Sequence, residues 1–110
     1  MQVQAITRNV RMSAQKMREV VRQIQGLPAL KAQSVLAVVP RKSAFFVAKT
    51  LKSAIANAEN NNGAKPEALR IKLAVAQTAA TLKRMRPKAR GSAGPILKRN
   101  CHIKIILTDE

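Results

Sequence analysis

Residues 69–107 read LRIKLAVAQTAATLKRMRPKARGSAGPILKRNCHIKIIL, and this stretch decides the fold. At its start Leu69, Ile71, Leu73 and Val75 alternate with Arg70, Lys72, Ala74 and Ala76, and at its end Ile103, Ile105 and Leu107 resume the same period of two. That alternation predicts strands with one face on a core. Between the two patches, Lys83 to Arg99 carries seven cations and no acidic residue around a middle punctuated as PKARGSAGP. The apolar patches can pair antiparallel only if everything between them forms one long hairpin, residues 78–102. With about 13 residues per arm at ~3.3 Å each, its tip stands on the order of 40 Å from the last core pair. Such a ribbon has too little apolar material to be a core element. Its cations suit the closely spaced phosphates of a nucleic acid.

Upstream the period changes. QVQAIT at residues 2–7 reads as a short strand. Ser13 is a candidate N-cap for a helix in which Met17, Val20, Val21 and Ile24 fall at i, i+3, i+4 and i+7, with Gly26 placed to end it. Pro28 suits a first helical turn, and Leu30, Val35, Leu36 and Val39 give a second, short helix up to Pro40. With Lys31 its only charge, this helix is expected to be the most buried of the three. A third helix runs from about residue 42 to 61 on a stripe of Val47, Ala48, Leu51, Ile55 and Ala58, and the run Asn60, Asn61, Asn62, Gly63 stops it. The expected fold is α+β, in one domain spanning residues 1–110. Three helices pack on a small antiparallel three-stranded sheet, and a long β-hairpin protrudes from it.

Composition narrows the partners. Lys and Arg number 21 against five Asp and Glu, a net charge of +16, and the acidic residues are Glu19, Glu59, Glu67, Asp109 and Glu110. Positions 68 to 108 therefore contain none. A solvated surface ordinarily mixes its signs, so a polyanion is expected to supply the countercharge, with nucleic acid ahead of an anionic membrane. The core must be built largely from Ala, Val, Ile and Leu, since the chain has two Phe, no Trp and no Tyr. Marginal stability in isolation and stabilisation by a partner follow. One cysteine cannot form an internal disulfide, which fits a reducing cytoplasm. No apolar run approaches a membrane span or a signal peptide.

Catalysis finds little support in the sequence. The possible nucleophile–base pair is Cys101–His102, but neighbours on a strand point to opposite faces. Cys101 reads as a small core or hairpin residue, and His102 as either a nucleic-acid contact or a packing residue. No ligand set for a metal is present, GSAG lacks the context of a phosphate loop, and no cofactor is expected. Four of the seven ribbon cations are Arg, whose planar guanidinium fits phosphate and stacks on bases. The candidate nucleic-acid-binding residues are Lys83, Arg84, Arg86, Lys88, Arg90, Lys98, Arg99 and His102 on the ribbon. Arg11, Lys16, Arg18, Arg22, Arg41 and Lys42 join them from the helical part. Without Tyr or Trp to stack single strands, folded RNA or a duplex, read by backbone and shape, is the better partner. The alternative is an architectural DNA-binding protein using a basic β-ribbon arm. That reading needs a dimer; the sequence marks no dimer seam, and no homo-oligomer is expected.

TLKRMRPKARGSAGPILKRNCHIKIIL closely resembles the signature of the bacterial large-subunit ribosomal proteins numbered twenty-two, exit-tunnel proteins with a long β-hairpin. RMSAQKMREVVRQIQG near the N-terminus and KSAIANAENNNG at the end of the third helix agree with it, so the resemblance covers essentially the whole chain. It implies a structural protein of the large subunit that binds its ribosomal RNA and assists early assembly. Its neighbours would be other ribosomal proteins near the tunnel exit. It further implies that the hairpin tip, Lys88, Ala89, Arg90, Gly91, Ser92, Ala93 and Gly94, lines the tunnel and meets the nascent peptide. Where the family commonly carries Arg-Ala after the tip glycine and then a cation before the Ile, this chain has Ser92 and Pro95. Its arms hold more of the charge than its extreme tip.

Overall fold

Strand β5 (Cys101–Thr108) lies at the centre of a three-stranded sheet, with β1 (Gln2–Val10) antiparallel along one edge and β2 (Arg70–Thr78) along the other. The computed structural model describes residues 2–79, 82–87, 91 and 93–109, with the backbone alone described for 82–87 and 93–98. Helices α1 (Ala14–Ile24), α2 (Ala29–Val38) and α3 (Lys42–Asn62) cover one face of the sheet. α3 packs on β1 and β5, α1 on β2, and α2 on α3. The chain is α+β, as its periodicities indicate.

The core sits where the two periods meet. Cys101, Ile103, Ile105 and Leu107 of β5 are fully buried against Met17, Val20, Val21 and Ile24 of α1 and Val47, Leu51 and Ile55 of α3. Each large aliphatic side chain withdrawn from water contributes on the order of 1.5–3 kcal/mol. One polar contact fixes the rotation of α3 on the sheet. The buried Thr50 hydroxyl donates to the Phe46 carbonyl at 3.0 Å, so Thr7 donates to Thr50 across 2.6 Å.

Two bulges alter the expected alternation. In β1, Thr7 lies opposite Ile103 and Val10 opposite Cys101, so Arg8 and Asn9 together face His102. Asn9 takes the left-handed φ of +57° that such an extra residue requires, and asparagine tolerates it better than most. In β2, Ile71 lies opposite Leu107 and Leu73 opposite Ile106, which makes Lys72 the extra residue. The expectation that Leu73 and Val75 face the core fails here. The bulge shifts the phase by one, so Leu69, Ile71, Ala74 and Ala76 are buried while Leu73 is 37% exposed.

α1 begins at Ser13 as its sequence indicates, with the hydroxyl accepting the Lys16 N–H at 3.4 Å. It ends in a type II turn, with Gln25 at φ −59°, ψ 128°, Gly26 at φ +77°, and the Leu27 N–H on the Ile24 carbonyl at 3.3 Å. The chain after this turn does something its pattern does not announce. The Ala29 N–H bonds Leu69 O at 3.0 Å and the Ile71 N–H bonds Leu27 O at 2.9 Å, so residues 27–29 pair with the start of β2. Farther along β2, α1 takes over that edge: Arg18 Nε donates to Ala76 O at 3.1 Å and Gln25 Nε2 donates to Ala74 O. Arg18 within α1 and Gln25 at its C-cap lie seven positions apart, about two turns, so the helix and its cap together cover two edge carbonyls.

α2 is not the most buried helix. Its buried residues are Ala29, Ala32 and Leu36, while Leu30 is exposed and Val38 is 78% exposed. Pro28 stands one position before the helix, at its N-cap. Ala29, Ala32 and Leu36 make up its packed face, and Leu30 and Val38 are left outside. α3 stops at Gly63, whose φ of +63° turns the chain so that its own N–H reaches Glu59 O and the Ala64 N–H reaches Ala58 O.

Strands β3 (Leu82–Pro87) and β4 (Ala93–Lys98) form a second, two-stranded antiparallel sheet, in register from Leu82 opposite Lys98 to Pro87 opposite Ala93. Pro87 and Pro95 fit because each strand of a two-stranded sheet has an unpaired side. The expected continuous hairpin over residues 78–102 also includes residues 80, 81, 88–90 and 92, which lie outside the described residues.

Candidate nucleic-acid interface

The first turn of α1 carries no acidic residue, and its N-terminus opens into a cleft of about 590 Å³. Ser13, Ala14, Gln15, Lys16 and Arg18 line one side, and Thr78, Arg99 and Asn100 line the other, where β2 ends and the chain returns toward β5. Ala79 N–H donates to Asn100 O at 3.1 Å and ties the end of β2 to the residues that lead into β5 on that second side. Three of the cations singled out in the sequence, Lys16, Arg18 and Arg99, are thus brought from opposite ends of the chain to one concavity. The positive end of the α1 dipole adds to their field. The cleft suits an anion, and its exposed cations suit a chain of them.

A second cleft, of about 460 Å³, continues from Lys16 to Arg41, Lys42 and Ser43, with Met12 and Glu19 on its wall. Arg41 is engaged by Glu19 in an ion pair, so its charge is partly compensated. Arg18 is likewise committed through Nε to the β2 edge, which fixes where its guanidinium stands. Arg22 lies on the same α1–β2 seam, beside Gln25 and residues 74–76. Arg11 is exposed at the end of β1. Lys16, Arg18, Arg22, Arg41 and Lys42 therefore line a connected, largely cationic surface around α1, and Arg11 lies outside these clefts.

His102 has a more specific role than its sequence context suggests. Its Nδ1 accepts the Asn9 N–H at 3.0 Å, so the imidazole satisfies an amide that the bulge removes from the ladder. With Nδ1 accepting, Nε2 carries the proton and is the atom left to donate to a partner. Asn9 was not among the sequence candidates. Its one visible sign is that RN at positions 8 and 9 interrupts the apolar alternation of β1. Thr78 and Asn100 were missed as well, since neither belongs to a charged run.

On the ribbon, the backbone register sets Lys83 opposite Leu97, Arg84 opposite Ile96 and Arg86 opposite Gly94, with Lys98 closing the ladder opposite Leu82. Ala93 and Gly94, named with the tip in the sequence, are strand residues of β4. Gly91 has φ +73°, a conformation that favours glycine. Lys88, Ala89, Arg90 and Ser92 lie outside the described residues.

Cys101 is a packing residue. Burial pushes its thiol above the ordinary value of 9.0, with Arg18 pulling part of the way back, so the thiolate needed for nucleophilic work is disfavoured. Among the described residues no group of three His, Cys, Asp or Glu could hold a metal ion, and no helix is long and apolar enough to cross a membrane.

Residues 5–108 match the family described as ribosomal protein L22p/L17e. The chain belongs to that family. It is 55% identical over 109 residues to a protein of Opitutus terrae named large ribosomal subunit protein uL22, covering 99% of this chain and 96% of the relative. It is 44% identical over 110 residues to the protein of the same name from Akkermansia muciniphila, covering 100% and 98%. Family membership makes the chain a structural constituent of the large ribosomal subunit in the cytoplasm, and not an enzyme.

Proposed function

We propose that the chain binds the ribosomal RNA of the large subunit through the clefts around α1 and through the β3–β4 ribbon. In this reading it assists early subunit assembly, and residues 88–94 line the exit tunnel beside the nascent peptide. One observation carries the RNA-binding reading: Lys16, Arg18 and Arg99 line one cleft at the foot of a segment that has seven cations and no carboxylate. Extension of the ribbon away from the body is supported by the radius of gyration of 17.0 Å, against about 13 Å for a compact domain of ~100 residues. The tunnel and assembly roles rest on the family resemblance of the ribbon sequence.

Deleting residues 84–94 tests the reading. The deletion removes Arg84, Arg86, Lys88 and Arg90 and leaves every core residue in place. Each phosphate contact contributes roughly 0.7–0.9 to the salt slope, so the slope for large-subunit RNA should fall by up to about 3, with weaker binding. Unchanged affinity and slope would remove the ribbon from the interface. Competition at fixed salt tests the DNA alternative, which would be favoured if random duplex DNA displaced folded ribosomal RNA.

A further inference from the structure

Phe45 and Phe46, the only aromatic residues of the chain, stand side by side in the first turn of α3. They behave differently. Phe46 is half-buried against the core, while Phe45 is 68% exposed. The two rings meet edge to face, with centroids 5.5 Å apart and planes at 78°, so the inner ring braces the outer one. Lys42 Nζ lies 6.0 Å from the centroid of the Phe46 ring. Lys49 and Lys52, both exposed, follow Phe45 at i+4 and i+7 and therefore share its helix face. No carboxylate occurs in α3 before Glu59, and Glu19, which faces the start of the helix, is engaged by Arg41. An exposed, braced aromatic ring on a cationic, acid-free face combines the two features that hold an unstacked nucleotide: a π surface for the base and ammonium groups for its phosphates.

We propose that Phe45 is a stacking platform for an unpaired base of the ribosomal RNA, with Lys42, Lys49 and Lys52 neutralising the adjoining phosphates. The proposal rests on the RNA-binding reading above and adds to it a contact that reads a base face rather than the backbone. It also gives this chain one stacking site despite its lack of Tyr and Trp. The cations favour RNA over an apolar pocket of a neighbouring protein, which would gain nothing from three lysines on the same helix face as Phe45.

The absence of native Trp and Tyr makes the test clean, because Phe45→Trp installs the chain's only strong fluorophore. Titrating the full-length F45W protein with large-subunit ribosomal RNA should quench the indole emission, with affinity at least that of the wild type. Phe45→Leu and Phe45→Ala should weaken binding about 5- to 150-fold, the loss expected for one stacked base. Their salt slopes should stay unchanged, since no charge is removed. The residue is exposed, so their unfolding curves should match the wild type. The proposal is overturned if F45L binds as tightly as the wild type, or if the indole emission of F45W stays constant while the RNA saturates the protein. Emission that shifts only in assembled subunits, and not with RNA alone, would assign the ring to a protein neighbour and likewise overturn it. Failure of the wild type to bind RNA would sink the parent reading and this one together. Wild-type binding with an indifferent F45L would sink this one alone.

Discussion

The helix-covered body and the β3–β4 ribbon use the same period-two pattern to opposite ends. In β5 every second side chain, from Cys101 to Leu107, goes into a core closed by α1 and α3. Between residues 82 and 98 the large apolar residues are Leu82, Met85, Ile96 and Leu97, interleaved with cations and with Pro87 and Pro95. A two-stranded sheet with no helix over it is marginal in water. Stability therefore resides in the body, and the proposed RNA contacts reside in the ribbon and the cleft at its foot. The two properties should come apart under mutation.

The largest effect expected from a single change lies in the body. Leu51→Ala removes a fully buried side chain and should cost about 2–5 kcal/mol in denaturant unfolding. The deletion of residues 84–94, which touches no core residue, should shift that transition little. Equal losses from both would show that body and ribbon fold as one unit and would break the comparison.

Next in size is the phase of β2. Ala74→Leu should destabilise the fold by about 1–3 kcal/mol, because the bulge at Lys72 turns position 74 into a packed core. Leu73→Ser should stay within ~0.5 kcal/mol. Uninterrupted alternation predicts the reverse order, so the pair of mutants decides the register.

The cleft gives a smaller effect. Arg99→Ala should lower the salt slope for ribosomal RNA by about 0.7–0.9 and leave the unfolding midpoint in place. A loss of stability instead would make Arg99 a structural residue of the body.

The smallest effect is a pH dependence at Cys101. Burial raises its folded-state pKa, so its contribution to stability is complete below the unfolded value and is lost as pH rises from about 9.0 toward the folded one. Stability should decline more steeply above pH 9.0 in the wild type than in Cys101→Ala, as measured by urea midpoints. Parallel curves would mean that the thiol is not desolvated.

Most of the architecture is legible in the sequence because its two periods are long and clean. The stripe of Met17, Val20, Val21 and Ile24, the alternation of Ile103, Ile105 and Leu107, the cap at Ser13 and the stop at Gly63 all follow from local spacing. The bulges are less legible. A strand with alanines at 74 and 76 and larger aliphatics at 73 and 75 looks better packed in the wrong phase. Only pairing with β5, which is non-local, selects the other. The exposure of α2 was hidden for a related reason: a helix with one charge reads as buried, yet Ala29 and Ala32 make its close contact and Val38 is left outside. In the candidate interface, charge alone picks out the candidate residues, but not that Lys16, Arg18 and Arg99 share one cleft. Nor does it show that His102 is held by Asn9, since both depend on chain ends meeting across the sheet.

The central claim is that this chain's charge serves the large ribosomal subunit. Sedimentation of salt-washed ribosomal particles through a density gradient tests it most directly. The chain should travel with the large subunit and stay there after the wash. Recovery in ribosome-free fractions, or with the small subunit, would contradict it.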